Sequence, residues 1–136
     1  MHADQMMAAH PTASEKLGNL AHCVEACFDC AQICTACADA CLAEENPTEL
    51  AACIRLSLDC ADVCLAAGRI LSRQTASQSA LAWQVLETCA GFCRLCAAEC
   101  LKHAGHHQHC RLCAEVCRAC ERACHRTTMH GPSSRA

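Results

Sequence analysis

Cysteines recur at the spacing of an α-helix along most of this chain. Between Cys23 and Cys41, the segment CVEACFDCAQICTACADAC places six cysteines at intervals of 4, 3, 4, 3 and 4 residues. Residues three and four positions apart lie on one face of a helix, where leucine usually forms the buried seam. The spacing therefore predicts a long helix whose core-facing side is made of thiols.

The same spacing returns in three further segments, which are separated by short breaks. Thr12 and Glu15 form a capping box before the first segment, and Asn46 followed by Pro47 ends one helix and starts the next. The predicted helices cover about residues 12–45, 46–73, 80–103 and 106–127. Four helices with short connections pack most simply as an all-α, antiparallel up-down four-helix bundle.

All 18 cysteines fall on the core-facing stripes of these helices. They are Cys23, Cys27, Cys30, Cys34, Cys37, Cys41, Cys53, Cys60, Cys64, Cys89, Cys93, Cys96, Cys100, Cys110, Cys113, Cys117, Cys120 and Cys124. Ser57 occupies the seam position between Cys53 and Cys60. The predicted interior is therefore a tube lined with sulfur.

The chain has the length of a single domain, residues 1–136. We expect its ends to be flexible, about residues 1–12 with Met1, Met6 and Met7 and about residues 128–136. Up-down topology gathers apolar residues at one pole, and we expect these to form a plug. The plug residues are Leu17, Leu20, Leu71, Ala82 and Leu86.

Two roles for the thiols that need no metal fit the sequence poorly. As small apolar residues, so many cysteines would leave the core underfilled. Disulfides need an oxidising compartment, and neighbouring thiols on one helix face are poorly placed to form them. The start of the chain, MHADQMMAAHPTAS, lacks the features of an export signal, so we expect a cytosolic location. Metal binding is the remaining interpretation.

Charge favours copper among the metals that thiolates bind. A zinc site made of four thiolates carries net negative charge, and a dry bundle interior cannot hold several of these cheaply. Cu(I) is soft, prefers thiolate and tolerates low coordination, so about one Cu(I) per thiolate leaves the core neutral. This charge balance predicts multiple Cu(I) ions, roughly 18 per chain.

Pairs of cysteines four residues apart suit a two-coordinate ion. Their Cβ atoms lie roughly 5 to 6 Å apart on one helix face, so the two sulfurs can bind an ion from opposite sides. Eight pairs have this CxxxC spacing: Cys23/Cys27, Cys30/Cys34, Cys37/Cys41, Cys60/Cys64, Cys89/Cys93, Cys96/Cys100, Cys113/Cys117 and Cys120/Cys124.

Repeated CxxxC stripes on every helix of a four-helix chain resemble the cytosolic branch of the bacterial copper storage protein family. The resemblance extends from about Cys23 to Cys124. It implies a four-helix bundle that assembles as a homotetramer and stores many Cu(I) ions through cysteine thiolates, without catalytic turnover. A copper chaperone or a small-thiol donor would then supply the ions.

The segment HAGHHQHC places histidines beside the thiols at the pole opposite the plug. His103 and His107 follow Cys96 and Cys100 by seven residues each, and so continue the stripe of the third helix. Imidazole binds Cu(I) less tightly than thiolate does and could pass it inward. We therefore expect His103 and His107 as metal ligands at the mouth of the bundle, ahead of His106 and His109.

The sequence gives less support to other function classes. A net charge of −3 gives no reason to expect a nucleic-acid or membrane partner. An iron–sulfur carrier would show a CxxCxxCxxxCP run, which the sequence lacks. A zinc or thiol-redox buffer stays open as an alternative. A copper-responsive regulator does too, although it would need only a few ligands and a basic DNA-facing surface.

Overall fold

The computed structural model describes residues 2–12, 18–76 and 78–129, and these residues form five α-helices. The helices are α1 (Ala3–Ala9), α2 (Gly18–Leu42), α3 (Ala51–Ser72), α4 (Ala80–Leu101) and α5 (Gln108–Met129). Both α2 and α4 pack against α3 and α5, so the four long helices form a square bundle. The prediction of an all-α, antiparallel four-helix bundle is confirmed.

The connections are short and begin close to the predicted breaks. Pro47 starts a 3₁₀ turn, Pro47–Leu50, that leads directly into α3. Ser79 caps α4, because its hydroxyl accepts a hydrogen bond of 3.1 Å from the Ala82 backbone N–H. Two helices end earlier than predicted, α2 at Leu42 and α4 at Leu101. Tight i to i+3 turns replace the last helical residues, since the chain reverses there.

The N-terminal end of the described chain is helical, which the sequence did not predict. It forms the short helix α1, which packs against α2, and the side chain of Met7 joins the core with 4% of its surface exposed. Met7 therefore adds a large apolar side chain to the same core cluster as Leu20. At the other end, Thr128 and Met129 complete α5, and residues 130–136 lie outside the described part of the chain.

The predicted capping box can be judged at one of its two residues only, because Glu15 lies outside the described residues. The Thr12 hydroxyl donates a hydrogen bond of 2.8 Å to the Gln74 backbone carbonyl. This bond ties the N-terminal segment to the connection between α3 and α4.

One pole of the bundle is closed by apolar residues, as predicted. Leu20, Leu71, Ala82 and Leu86 are buried, while Leu17 lies outside the described residues. The buried ring of Trp83 extends the same plug. None of the helices in the described part of the chain is long and apolar enough to cross a membrane.

Candidate metal centre

The helix period buries every cysteine. All 18 thiols are free, and each residue has at most 2% of its surface exposed. Alanines occupy many of the neighbouring core positions, such as Ala90, Ala97 and Ala114. Small neighbours let the helices approach closely, and this close approach brings thiols from different helices together.

The sulfur atoms form a continuous network along the bundle. Within one helix, the sulfurs of Cys30 and Cys34 lie 3.8 Å apart. Between helices, the sulfur of Cys117 lies 3.7 Å from Cys30 and 3.5 Å from Cys34. The network continues to Cys64 and Cys89, 3.4 Å apart, near the plug. An ion bound at one thiol therefore has another thiol within about 4 Å for its next step.

Several sets of four thiols lie close enough together to hold one ion, with all ligand atoms within 4.8 Å of one another. These sets are Cys27, Cys89, Cys120 and Cys124; Cys30, Cys64, Cys93 and Cys120; Cys30, Cys34, Cys60 and Cys117; and Cys34, Cys96, Cys113 and Cys117. The sets share members, Cys30 and Cys117 among them. Shared ligands suit bridging thiolates, whereas independent closed sites would each need four ligands of their own.

Ser57 replaces a thiol in this network. It is fully buried on α3, and its hydroxyl oxygen lies 3.6 Å from the sulfur of Cys96. A neutral hydroxyl is a weaker ligand than a thiolate for a soft ion. The line of thiols on α3 is therefore interrupted between Cys53 and Cys60.

Neighbouring thiols share their protons. Hydrogen bonding with other thiols, above all Cys117, holds the pKa of Cys30 well below its ordinary value. The pKa of Cys34 is raised, chiefly by its hydrogen bond to Cys113. In all eight CxxxC pairs, the first cysteine has a lowered pKa and the second a raised one. The two thiols of each pair therefore differ in how readily they give up a proton.

His109 is the histidine that meets the thiols at the open pole. Its Nδ1 atom lies 3.4 Å from the sulfur of Cys37 and 3.6 Å from that of Cys110. Together with Cys41, these residues form a set whose ligand atoms lie within 4.8 Å of one another. Burial lowers the pKa of His109, but hydrogen bonds to Cys37 and Glu44 outweigh this effect and raise it.

His103 and His107, the histidines favoured from the sequence, hydrogen-bond to carboxylates. His103 Nε2 lies 3.0 Å from Glu99 Oε2, and His107 Nδ1 lies 3.0 Å from Glu44 Oε2. Both histidines lie beyond the end of α4 at Leu101, so they do not continue the cysteine-bearing face of that helix. A signal for His109 was present in the sequence, because it precedes Cys113 by four residues, the spacing of the CxxxC pairs.

Comparison with known proteins identifies relatives over most of the chain. The family model for copper storage proteins matches residues 16–129. A structure of the copper storage protein from Streptomyces lividans loaded with 10 copper equivalents is 44% identical, with 95% of this chain and 98% of that chain covered and a TM-score of 0.88.

Two further relatives point the same way. A cytosolic copper storage protein from Streptomyces lividans, solved with five coppers, is 52% identical over 79% of this chain and 90% of that chain, with a TM-score of 0.77. An uncharacterized cysteine-rich protein of Bacillus subtilis is 37% identical, and the match covers 75% of this chain and 89% of that protein.

Proposed function

This chain belongs to the copper storage protein family, and on that premise we propose that its thiol core stores Cu(I) in the cytosol. The 18 buried cysteines are the ligands, and full loading places about one Cu(I) on each thiolate. The ions are cargo that the protein binds and later releases, so no catalytic turnover is involved.

The observation that carries this proposal is the overlap among the sets of thiols. Cys30, Cys34, Cys117 and Cys120 each belong to two of the four-thiol sets. Separate zinc sites would compete for these residues, and each filled site would leave excess negative charge in the core. Cu(I) ions that are bridged by shared thiolates need fewer ligands per ion. The single positive charge of each Cu(I) also balances the single negative charge of one thiolate.

Loading proceeds by ligand exchange from the open pole. An incoming Cu(I) replaces the proton that a thiol pair shares, so each thiolate formed releases its proton to the solvent. The ion then moves to a neighbouring pair, because sulfurs of adjacent helices lie 3.4 to 4.0 Å apart along the bundle. The apolar plug at the far pole favours entry and exit through the pole of His109.

His103 and His107 are proposed as the first, transient ligands. They line the cleft at the open pole, with Glu44, Glu45 and Glu49 around them. Imidazole nitrogen binds Cu(I) less tightly than thiolate does, so an ion held there can pass inward. His103→Ala and His107→Ala variants should load more slowly and reach the same final capacity, as followed by stopped-flow transfer from a chromophoric Cu(I) chelator.

Apolar stripes on α3 and α4 support assembly into the homotetramer that the family resemblance implies. Leu58 and Leu65 on α3 are 45% and 46% exposed, and Leu81 and Leu95 on α4 are 71% and 52% exposed. Such residues on neighbouring helices suit an interface between copies. Light scattering should report an oligomer. A copper chaperone or a small thiol is proposed as the donor, because loading by ligand exchange needs a partner that releases Cu(I) to the thiols.

A titration of the reduced protein with Cu(I) under anaerobic conditions tests storage. We expect saturation at about 18 ions per chain against a competing chromophoric chelator, with the same count in native mass spectrometry. A parallel titration with Zn²⁺ should saturate at far fewer ions. Saturation at a few tight Cu(I) equivalents would contradict storage and favour a sensor or buffer.

A further inference from the structure

Glu44 contacts two imidazoles at the open pole through a single oxygen atom. Its Oε2 lies 2.8 Å from His109 Nε2 and 3.0 Å from His107 Nδ1. The two rings are stacked, with centroids 5.5 Å apart and an interplanar angle of 23°. The carboxylate therefore contacts the Nε2 atom of His109 and the Nδ1 atom of His107.

An ionised carboxylate can only accept hydrogen bonds, and a neutral imidazole carries one N–H and one lone pair. The Glu44 side chain is 32% exposed, and a glutamate carboxylate that contacts solvent is ionised at neutral pH. The nitrogens that face Glu44 must then carry the protons. The lone pairs are left on Nδ1 of His109 and on Nε2 of His107.

These lone pairs lie at successive steps toward the thiols. His109 Nδ1 is 3.4 Å from the sulfur of Cys37, where it can bind an ion together with that thiolate. His107 lines the outer cleft with His103 and His106. With the other tautomer, His109 would present an N–H to Cys37 and could not bind a metal through that nitrogen.

We propose that Glu44 is a positioning residue for copper entry: it fixes opposite tautomers in His107 and His109, so that each ring keeps the nitrogen that the incoming ion needs. The identity of the ion rests on the proposed storage function. The tautomers do not, since they follow from hydrogen bonds of the metal-free protein. Carboxylates that orient ligand histidines in this way are typical of metal sites.

The chain offers a matched control in Glu99. This residue accepts a hydrogen bond of 3.0 Å from His103 Nε2, so it forms the same kind of carboxylate–imidazole pair at the same pole. Its loss removes one such pair and leaves Glu44, His107 and His109 in place. Any effect that is specific to Glu44 should be absent from Glu99→Ala.

Nitrogen-15 NMR of the reduced, metal-free protein tests the tautomers directly. At a pH where the imidazoles are neutral, we expect the Nε2–H form for His109 and the Nδ1–H form for His107. Glu44→Ala should convert both signals toward mixtures, and Glu99→Ala should leave them unchanged. An Nδ1–H form of His109 in the unmodified protein would overturn the proposal, even if the variants fail to fold.

Copper transfer from a chromophoric chelator supplies the second test. Loss of an orienting partner typically weakens a metal site by about 10- to 100-fold, so Glu44→Ala should weaken the outermost Cu(I) site by at least about tenfold. In a background that lacks both imidazoles, His107→Ala with His109→Ala, the added Glu44→Ala should produce no further loss at that site. A full additional loss would show that Glu44 acts independently of the two imidazoles and would overturn the proposal. Failure of the storage function would appear separately, as low total capacity in the unmodified protein.

Discussion

At the residue scale, the identity of each seam side chain sets how many ions the core can hold. Eighteen seam positions carry a thiol, and Ser57 carries a hydroxyl at equal depth. The two side chains are similar in shape but differ in softness, and softness decides affinity for Cu(I). On the proposed storage function, we therefore expect Ser57 to limit the copper capacity without disturbing the packing of α3 against α4.

Substitution of Ser57 should change the copper count by one. Ser57→Cys places a nineteenth thiol beside Cys96, whose sulfur lies 3.6 Å from the present hydroxyl, so we expect about one additional Cu(I) per chain. Native mass spectrometry of the fully loaded, reduced protein gives the count directly.

Ser57→Ala is the control for this change and should leave the capacity unaltered. If the alanine variant lost an ion, the hydroxyl would be a ligand. If the cysteine variant gained none, the number of thiols would not set the capacity.

At the element scale, close contact between helices depends on small residues at particular positions. Gly68 on α3 faces the ring of Phe28 on α2, and a Cβ atom at Gly68 would lie 3.0 Å from two ring carbons. Gly91 lies within α4, and a Cβ atom there would meet nothing within 4 Å. The two glycines therefore differ in what they contribute to the bundle.

Alanine substitution at these two glycines should have opposite effects on stability. Gly91→Ala should raise the free energy of unfolding by about 0.5 to 1 kcal/mol, because alanine restricts the unfolded chain and favours helix. Gly68→Ala should lower it by about 1 kcal/mol or more, because overpacking against Phe28 exceeds that gain. Thermal unfolding of the reduced, metal-free variants by circular dichroism measures both. Equal effects of the two substitutions would contradict a close contact at Gly68.

The helix elements were largely predictable from the sequence, because cysteine spacing fixes both the period and the buried face. The ends of the elements were less so. The helical spacing predicted that His103 and His107 lie on the same face of α4 as Cys96 and Cys100. However, α4 ends at Leu101, and helical spacing places residues on one face only within the helix. The helix α1 was missed because a short segment without a repeated pattern docks through a tertiary contact, the burial of Met7.

At the scale of the whole molecule, the bundle combines a folded scaffold with a core lined mainly by small cysteine and alanine side chains. The helices have their own caps and turns, and leucines close one pole. We therefore expect the backbone to form without copper, in contrast to small metal-dependent domains that unfold without their ion. Ions in the core would then add contacts and charge pairing to a structure that is already folded.

The reduced, metal-free protein should therefore be folded, and copper should stabilise it further. We expect a strongly helical circular dichroism spectrum before loading, and a midpoint of thermal unfolding that rises as Cu(I) is added, since the ion binds the native state. An unfolded spectrum for the reduced protein that becomes helical only with copper would contradict this expectation.

Retention of copper should depend on pH, because protons and Cu(I) compete for the same sulfurs. The pKa of Cys41 is raised to about 12, first by burial, so this thiol loses a proton to bind copper throughout the neutral range. Hydrogen bonding, chiefly with Cys100, holds the pKa of Cys37 below its ordinary value, so protons compete for this sulfur less strongly than for that of Cys41. The apparent affinity for Cu(I) should fall with falling pH by up to about tenfold per pH unit for each proton displaced. Competition with a chelator at several pH values, combined with proton release in weak buffer, measures both quantities. An affinity independent of pH would mean that loading displaces no thiol protons, and the exchange of one proton for one Cu(I) would then be wrong.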